Sequence, residues 1–521
     1  MSLTVLTDEQ IRLLLESLTA DELESFIENL KGALHDYSNG SQVPGGESDI
    51  HQPHRQSVHS SRTGATTLFM PSSSPAGVGV KVITLSPPRS KQDDEAGTEG
   101  KPKIKPVGSI TLFSETGQPV GVLHASTLTA FRTALASACL VVRRNRIHTV
   151  TAFGSGEQAF WHIRLALMLR GSTIRQVNVI NRRFSDSCKH IMKRLYAVPN
   201  AVKEREGWRD AQVGILTPGY GEFDRLLKDQ VRAADVIFCC TPSKEPLFDH
   251  TFLTNGGGRR KGRLIIAIGS YTPDMLEIPL EVISQAVKKH EPGHRHFHKH
   301  ATEGGVIIVD TLDGALHEAG EVIQGGLAPI QLIDLLEDIF LKGVFLNGDL
   351  SGMNSLVATS FEIALAIRTL TQRRLGELVM LHRIKMDEES SSDDTGSLIS
   401  SSGTSTAPSS DLEKLDLSSG PSMSSVFNSS ATTLSDDADS SRPPSRPGSL
   451  FHRRKGSSST NNSSDTGAKK KKEREDHLCR WLQGGNVIYK SVGLGLMDLT
   501  VGMKVIEFAR DKGVGVHVPG F

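Results

Sequence analysis

Short apolar runs rich in Val and Ile recur through the middle of the chain, and segments of helical periodicity separate them. The runs are RIHTVTAFG, IRQVNVINR, ADVIFCCTP, GRLIIAIGS and GVIIVDT. Near-continuous apolar strands interleaved with helices are typical of a parallel sheet that is covered on both faces. This alternation predicts an α/β fold class with a doubly wound parallel sheet over residues 139–325.

The turn GSGEQA follows the first of these strands and precedes the first helix. In a dinucleotide-binding fingerprint the first glycine makes the tight turn, and the second lets the backbone approach a pyrophosphate. Gly154 and Gly156 match those glycines, and Ala159 stands where the fingerprint allows alanine. Glycine turns also occur without a ligand, but the strand–turn–helix setting favours a Rossmann-type cofactor site. Its predicted cofactor-binding residues are Gly154, Ser155, Gly156, Glu157, Gln158 and Ala159.

The end of the second strand bears on which dinucleotide is bound. An NAD site usually has an acidic residue there, which accepts hydrogen bonds from the ribose 2′-OH. This chain has Asn181, Arg182 and Arg183 instead. Two guanidinium groups suit a 2′-phosphate, although a solvated basic turn is the alternative. We therefore expect NADP(H) as the cofactor, with NAD(H) as the second choice.

Composition limits the class of protein. The chain has 521 residues, enough for two or three domains, but only 37% are hydrophobic, so part of the length should remain unfolded. Lys+Arg and Asp+Glu both number 59, which gives no reason to expect nucleic acid or an anionic membrane as a partner. The chain lacks an apolar run of about 18 residues, which predicts no membrane span.

The cysteines and the N-terminus indicate a compartment. The five cysteines show no CxxC spacing and lie mostly in apolar runs, as buried thiols in a reducing compartment do. The N-terminus carries early acidic residues and lacks a basic and then apolar leader, so no signal peptide is expected. Both features predict a cytoplasmic protein.

Three polar segments interrupt the ordered pattern. Residues 39–64 and 85–107 are rich in Gly, Pro and Ser and are expected to be loops. Residues 387–476 are dominated by Ser, Thr, Asp and Gly, so they cannot bury enough surface to offset their chain entropy. We predict a disordered insertion there, which is either a tolerated surface insertion or a site for kinase or adaptor contacts.

Eight pieces of the chain, in order, resemble the ornithine cyclodeaminase/mu-crystallin family. They are TLFMPSS, GVGVKVITLSP, STLTAFRTALASA, the GSGEQA turn, ADVIFCCTPSKEPLF, IIAIGSYTPDMLEI, VDTLDGALHEAGEVI and YKSVGLGLMDL. The resemblance implies a homodimer whose subunit combines a Rossmann domain with a discontinuous α+β substrate-binding and dimerisation domain. It implies that residues 1–138 form the first part of that domain and that residues 139–325 form the Rossmann domain. It also implies a helical return over 326–386, the insertion over 387–476 and the C-terminal part of the first domain over 477–521.

The resemblance also implies substrate-binding residues. Lys81 matches the lysine that contacts the substrate near the reacting carbon, and Arg132 matches the arginine that grips the substrate carboxylate. Arg55 matches a second carboxylate-binding arginine, with Arg62 as the alternative. Such a clamp would hold the α-carbon of an amino or imino acid against the nicotinamide. On the residues alone, Arg132 could equally form a structural ion pair. Further cofactor contacts are implied for Thr241, Pro242, Gly269, Ser491 and Val492.

Two positions depart from the cyclodeaminase pattern. Tyr271 stands where those enzymes carry an aspartate, and Leu68 stands where a second acidic residue is expected. A tyrosine is a poor general base at neutral pH, although it can donate a proton, so Tyr271 stays a catalytic candidate. The loss of both carboxylates argues against ornithine cyclisation and fits the reduction of a ketimine by NADPH.

The resulting hypothesis is an NAD(P)(H)-dependent oxidoreductase that acts on C–N bonds of a small amino or imino acid. The alternatives are ornithine cyclodeaminase, which makes proline and ammonia, and a dinucleotide-binding regulatory protein without turnover. The histidines of KHEPGHRHFHKH could bind zinc weakly. Because the family needs no metal, a surface loop without a metal is expected there.

Overall fold

The computed structural model describes residues 2–40, 49–85, 107–288, 304–335 and 481–521. All of these residues belong to one compact unit, which contains two β-sheets and the helices that pack on them. The predicted insertion at 387–476, the histidine-rich segment at 290–300 and Cys479 lie outside the described residues. Among the described helices, none is both long enough and apolar enough to cross a membrane.

The strands in chain order are β1 (Ser2–Leu6), β2 (Gln56–His59), β3 (Thr66–Ser74), β4 (Gly77–Leu85), β5 (Val107–Phe113), β6 (Pro119–His124), β7 (Thr149–Phe153), β8 (Gln176–Ile180), β9 (Gln212–Leu216), β10 (Val236–Cys239), β11 (Leu264–Ala267), β12 (Val306–Val309), β13 (Leu332–Asp334), β14 (Val487–Lys490) and β15 (Val516–Pro519). The helices are α1 (Asp8–Glu16), α2 (Ala20–Gly40), α3 (Ala125–Val141), α4 (Glu157–Arg170), α5 (Asp186–Ala197), α6 (Asn200–Glu206), α7 (Phe223–Ala233), α8 (Thr251–Thr254), α9 (Leu280–Ala286), α10 (Leu312–Glu318), α11 (Gly320–Gln324) and α12 (Gly495–Asp511).

The eight-stranded sheet has the order β13-β12-β14-β11-β10-β7-β8-β9, and every neighbouring pair is parallel. From β7 the chain first adds β8 and β9 on one side and then β10 and β11 on the other. A ligand crevice forms at such a reversal, beyond the carboxyl ends of the strands. The predicted doubly wound parallel sheet of Rossmann type is confirmed.

Two strands lie in this sheet although the sequence assigned them elsewhere. β14 follows the long insertion, yet it pairs with both β11 and β12, so residues 477–521 do not all belong to the first domain. All four of its residues are buried, and a strand without a polar face needs a central position. β13 pairs with β12, although residues 326–386 were expected to form a helical return.

The seven-stranded sheet has the order β15-β1-β6-β5-β4-β3-β2, and its pairs are antiparallel except β1 with β6. Helices α3 and α12 pack on one of its faces, and α2 packs against these two helices. β2 lies within residues 39–64, which were predicted to be a loop, and α2 also extends to Gly40 within that range. The four residues of β2 are exposed, so it is ordered by its backbone pairing with β3 rather than by apolar burial. Hydrophobic pattern alone does not reveal such an edge strand.

Helix α4 has no solvated face along most of its length. The sequence predicted an amphipathic helix here, but the residues from Ala159 to Leu167 are all buried. The cause is α3, which packs on the side of α4 away from the sheet and brings the Phe131 ring centroid to 5.2 Å from that of Trp161. Helix α3 therefore joins the two sheets through a shared core.

Candidate functional site

The loops that follow the strands of the parallel sheet meet at one edge, because parallel strands end on the same side. Most of the residues predicted from sequence lie in these loops. Those that directly follow or come soon after a strand are Gly154 after β7, Asn181 after β8, Thr241 after β10, Gly269 after β11 and Ser491 after β14.

Gly154 makes the tight turn that the fingerprint requires. Its φ is +101°, in the region that favours glycine, and its N–H donates to the Ile180 carbonyl at 2.8 Å. A Cβ at this position would lie 3.0 Å from both the Cys240 carbonyl oxygen and Thr241 Oγ1. The turn therefore contacts the loop after β10, at the point where the strand order reverses.

Unlike Gly154, Gly156 is required neither by its backbone conformation nor by close packing. Its backbone is extended, with φ −86°, and a Cβ built there meets no atom of the described residues within 4 Å. It is the N-cap of α4 and no side chain of the described residues caps this helix end. The N–H groups of the first turn of α4 are therefore open to an anion in front of Gly156.

The side chains of Ser155 and Glu157 are held by the protein itself, whereas the buried Gln158 Oε1 has no hydrogen-bond partner among the described residues. Ser155 Oγ lies 2.7 Å from Ser187 Oγ, and both oxygens of the Glu157 carboxylate accept from Arg194 at 2.7 and 2.8 Å. Ala159 is fully buried, which is consistent with close packing of α4 on the sheet. The side chains of the turn thus shape it, and its backbone faces the crevice.

The NRR turn lies at the end of β8. Asn181 Nδ2 donates to the Arg183 carbonyl at 2.8 Å, which closes the turn, and the side chains of Arg182 and Arg183 are exposed. Helix α5 begins at Asp186 with Ser185 as its N-cap, and the Ser185 side chain makes no capping hydrogen bond. Two guanidinium groups therefore stand at the ribose end of the fingerprint.

A buried charged cluster joins the seven-stranded sheet to helices α3 and α12. Lys81 Nζ on β4 lies 2.6 Å from Asp498 Oδ2 on α12, and both side chains are 2% exposed. Arg132 on α3 donates from Nε to Asp498 Oδ1 at 3.0 Å and from Nη2 to Oδ2 at 3.4 Å. Gly493, with φ +82°, lies so close that a Cβ there would be 2.8 Å from the Arg132 guanidinium nitrogens. The structure thus brings the predicted Lys81 and Arg132 to the loop after β14.

This cluster has an excess of positive charge. Two cations share one carboxylate, so the group carries one net positive charge when all three side chains are ionised. Burial and the neighbouring Arg132 lower the pKa of Lys81 to about 8, against the opposing effect of Asp498. An unmatched charge away from water is costly, and a bound anion relieves that cost. The cluster is therefore chemically suited to hold a carboxylate.

Arg55 lies at the same edge, and the alternative Arg62 does not. Its guanidinium donates to the Tyr271 carbonyl at 2.7 Å and to the Val492 carbonyl at 3.3 Å, and it pairs with Glu318 at 2.6 Å. Arg62 is exposed in the turn between β2 and β3. Of the two arginines that the sequence left open, Arg55 is the one at the site.

The loop after β14 is held by Asp310, a residue that sequence reasoning missed. Asp310 follows β12 and is fully buried. Its Oδ2 accepts from Ser491 Oγ at 2.9 Å, from the Val492 N–H at 3.0 Å and from the Gly493 N–H at 2.7 Å. These three bonds place the predicted residues Ser491 and Val492 against Arg132 and Arg55.

Glu277, also missed, joins the loops after β10 and β11. Its carboxylate accepts from the N–H groups of Thr241 at 2.9 Å, Gly269 at 2.7 Å and Ser270 at 3.1 Å. Burial raises the pKa of Glu277 to about 8, against the opposing charge of Lys490. A Cβ on Gly269 would lie 2.4 Å from the Thr241 carbonyl oxygen, so close packing between the loops explains this glycine.

The two departures from the cyclodeaminase pattern bring no carboxylate to the site. Leu68 is buried in β3, where it pairs with Ile83 of β4. Burial raises the pKa of Tyr271, which keeps its phenol protonated at neutral pH. Pro242, the remaining predicted contact, is exposed beside the half-buried Thr241.

Fold and site together define an α/β protein with two β-sheets, one a Rossmann-type parallel sheet and the other mostly antiparallel. Buried cations lie at the edge where the two sheets meet. No family model matches the chain. An uncharacterised protein of Saccharomyces cerevisiae is 29% identical over 277 residues, which are 49% of this chain and 68% of that protein. A Delta(1)-pyrroline-2-carboxylate reductase of Bacillus cereus is 25% identical over 310 residues, 58% of this chain and 77% of that enzyme.

Solved structures share the fold. The Delta(1)-pyrroline-2-carboxylate reductase of Thermococcus litoralis, in complex with NADH and L-proline, has a TM-score of 0.51 at 15% identity and covers 99% of this chain and 100% of its own. A probable ornithine cyclodeaminase of Bordetella pertussis has a TM-score of 0.51 at 16% identity and covers 99% of both chains. These similarities support, at low identity, the resemblance to the ornithine cyclodeaminase/mu-crystallin family.

Among the three side chains of the charged cluster, Asp498 is the one whose neutralisation should lower the free energy of unfolding most. Asp498→Asn leaves Lys81 and Arg132 buried without a counter-charge, and breaking a buried pair in this way costs about 3–5 kcal/mol. Lys81→Met should cost less, since the pair of Arg132 with Asp498 remains. Denaturant unfolding measures both losses in the free energy of unfolding.

Asp511→Asn is the matched control, because Asp511 is an exposed carboxylate on the same helix. It should change stability by less than about 0.5 kcal/mol. An equal effect of Asp498→Asn and Asp511→Asn would show that the cluster does not depend on its carboxylate.

Proposed function

We propose that the chain belongs to the ornithine cyclodeaminase/mu-crystallin family and is an NAD(P)(H)-dependent oxidoreductase that reduces an imine next to a carboxylate in a small amino or imino acid. The observation that carries this proposal is the excess positive charge of Lys81, Arg132 and Asp498 at the crevice edge of a Rossmann sheet. The names of the similar reductases and the NADH and L-proline of the Thermococcus litoralis structure support it.

The cofactor would lie along the loop ends of the parallel sheet. The N–H groups of the first turn of α4, in front of Gly156, would hold the pyrophosphate. Arg182 and Arg183 would hold a 2′-phosphate, which favours NADP(H) over NAD(H). When bound, the nicotinamide supplies the hydride for the imine carbon. The residues fit this group because Gly156 leaves room that no contact among the described residues explains.

The cations would hold and protonate the substrate. Arg132 and Arg55 would bind its carboxylate, which orients the imine carbon. Lys81, with a pKa of about 8, is mostly protonated at neutral pH but can release its proton, so it would donate to the substrate nitrogen. Tyr271 stays protonated and cannot serve as the base that deamination requires, which favours reduction over cyclodeamination.

Substitutions at Gly154 and Gly156 should have different effects, one on folding stability and the other on cofactor binding. Gly156→Ala should leave the thermal midpoint unchanged and weaken NADPH binding roughly tenfold, because the added methyl group stands where the pyrophosphate approaches the backbone. Gly154→Ala should lower stability by about 1–3 kcal/mol, because alanine is strained at this φ. Fluorescence titration with NADPH and thermal unfolding measure the two effects. Unchanged NADPH affinity in a folded Gly156→Ala protein would contradict the assigned cofactor turn.

Turnover tests the proposed reaction. The purified full-length chain should oxidise NADPH in the presence of Delta(1)-pyrroline-2-carboxylate or a related cyclic imine, followed at the NADPH absorbance. Lys81→Met should lower kcat roughly a hundredfold or more while the Kd for NADPH stays the same, because proton transfer is lost and the cofactor turn is not. Lys504→Met, which changes a lysine on the outer side of α12, is the control and should retain activity.

Two results would contradict the proposed reaction. NADPH binding without turnover on a broad panel of cyclic imines would favour a dinucleotide-binding regulatory protein. Production of proline and ammonia from ornithine, with NAD needed only in catalytic amounts, would favour a cyclodeaminase.

We further propose that the chain forms a homodimer through the outer face of the seven-stranded sheet. Strand register places several exposed apolar side chains on this face, opposite to the face that α3 and α12 cover. They are Val58, Phe69, Val78, Val107, Val516 and Val518. Exposed apolar patches of this kind mark interaction sites in soluble proteins, and the same patch on a second copy would be self-complementary.

Sedimentation velocity tests the dimer. The wild-type chain should sediment as a dimer, and the double variant Phe69→Lys with Val78→Asp should sediment as a folded monomer, because charged groups on the sheet face oppose its burial. Leu13→Asp is the control, since Leu13 is also an exposed apolar residue but lies on α1, away from this face. A wild-type monomer, or a double variant that remains dimeric, would contradict the proposed interface.

A further inference from the structure

Glu318 differs from the other carboxylates at the crevice edge. Asp310 accepts four hydrogen bonds and Glu277 accepts three, and backbone N–H groups provide most of them. Asp498 holds two cations. Glu318, at the end of α10, has Arg55 as its hydrogen-bonding partner within the described residues. Its carboxylate is therefore attached through one side chain, without a main-chain donor to keep it there.

The partner of Glu318 is a cation that the site needs. Arg55 Nη2 lies 2.6 Å from Glu318 Oε2 and 2.7 Å from the Tyr271 carbonyl oxygen. Both N–H groups of Nη2 therefore already have an acceptor. Its Nη1 reaches only the Val492 carbonyl, at 3.3 Å. Three of the five N–H donors of Arg55 are thus used, and a substrate carboxylate cannot bind through the Nη2 end while Glu318 stays in place.

Two carboxylates cannot share this guanidinium without cost. The Arg55 and Glu318 side chains are 12% and 21% exposed, so solvent screens a second negative charge only in part. Burial raises the pKa of Glu318, and the nearby Asp310 charge acts in the same direction, against Arg55 and His54. Among the carboxylates described above, Glu318 is thus the one with the fewest bonds to break when another anion arrives.

We propose that Glu318 is a specificity-determining residue that occupies Arg55 in place of a substrate carboxylate and has to leave before the substrate binds through both Arg55 and Arg132. This inference rests on the proposed function, because it takes Arg55 as a substrate-binding group. Glu318 and Arg55 come from different sheets, since Arg55 directly precedes β2 and Glu318 follows β12. Substrate binding would therefore also release a tie between the two sheets.

Removing the Glu318 charge should improve carboxylate binding. In Glu318→Gln the side chain keeps its size but no longer competes for Arg55, so the Kd for a carboxylate should fall roughly tenfold. The probe is pyrrole-2-carboxylate, a planar acid that NADPH cannot reduce as an imine, titrated by calorimetry into the full-length chain saturated with NADPH. Glu318→Ala provides a second variant, and KM for the cyclic imine should fall in both while kcat is retained.

Two controls isolate the effect. Asp313→Asn removes a carboxylate from the same helix, one that faces His54 at 3.4 Å and not Arg55, and it should leave the Kd unchanged. In an Arg55→Met background, Glu318→Gln should no longer change the Kd, because the cation for which it competes is gone. The Kd for NADPH should be the same in all variants.

The outcomes separate this inference from the proposed function. If wild type binds pyrrole-2-carboxylate and both Glu318 variants bind it equally or more weakly, Glu318 only holds Arg55 in position and the inference is wrong. If neither wild type nor the variants bind the probe while NADPH still binds, the carboxylate site itself is absent and both proposals fail.

Discussion

The pairing of Asp498 with Lys81 and Arg132 is the interaction on which the rest of the site depends. It joins three elements that are far apart in sequence, β4, α3 and α12, and all three side chains are almost fully buried. Replacing such a group by apolar residues is often neutral or stabilising, so stability alone does not account for it. What it provides is two cations that share one carboxylate at a defined place. Their excess charge is useful only if the crevice opposite them holds an anion.

The path of the chain brings the cofactor side and the substrate side together. After the insertion the chain enters the parallel sheet as β14, makes the loop that Asp310 holds, and returns to the other sheet as α12. One continuous segment, residues 487–511, therefore carries the loop against Arg132 and the carboxylate that binds it.

The sequence revealed the parts of this molecule that follow local rules. The parallel strands, the GSGEQA turn and the NRR turn could be predicted because apolar period, glycine conformation and charge are readable over a few residues. Asp498, Asp310, Glu277 and Glu318 could not, since each acts through a partner distant in the chain. The central place of β14 was missed for the same reason, because a buried four-residue strand does not specify its neighbours. The cofactor contact predicted for Gly269 stays a prediction, and the close approach of its backbone to Thr241 could not be read from the sequence.

Tyr271 shows how the site favours one direction of reaction. Deamination needs a group that accepts a proton near the substrate nitrogen, whereas reduction of an imine needs a group that donates one. Around this crevice the carboxylates are already bound: Asp498 by two cations, Asp310 and Glu277 by several donors, and Glu318 by Arg55. The Tyr271 phenol and the Lys81 ammonium both carry protons at neutral pH. Under the proposed function, a site whose acids are occupied and whose remaining groups are proton donors would add a proton to the substrate, and a bound reduced nicotinamide would supply the hydride.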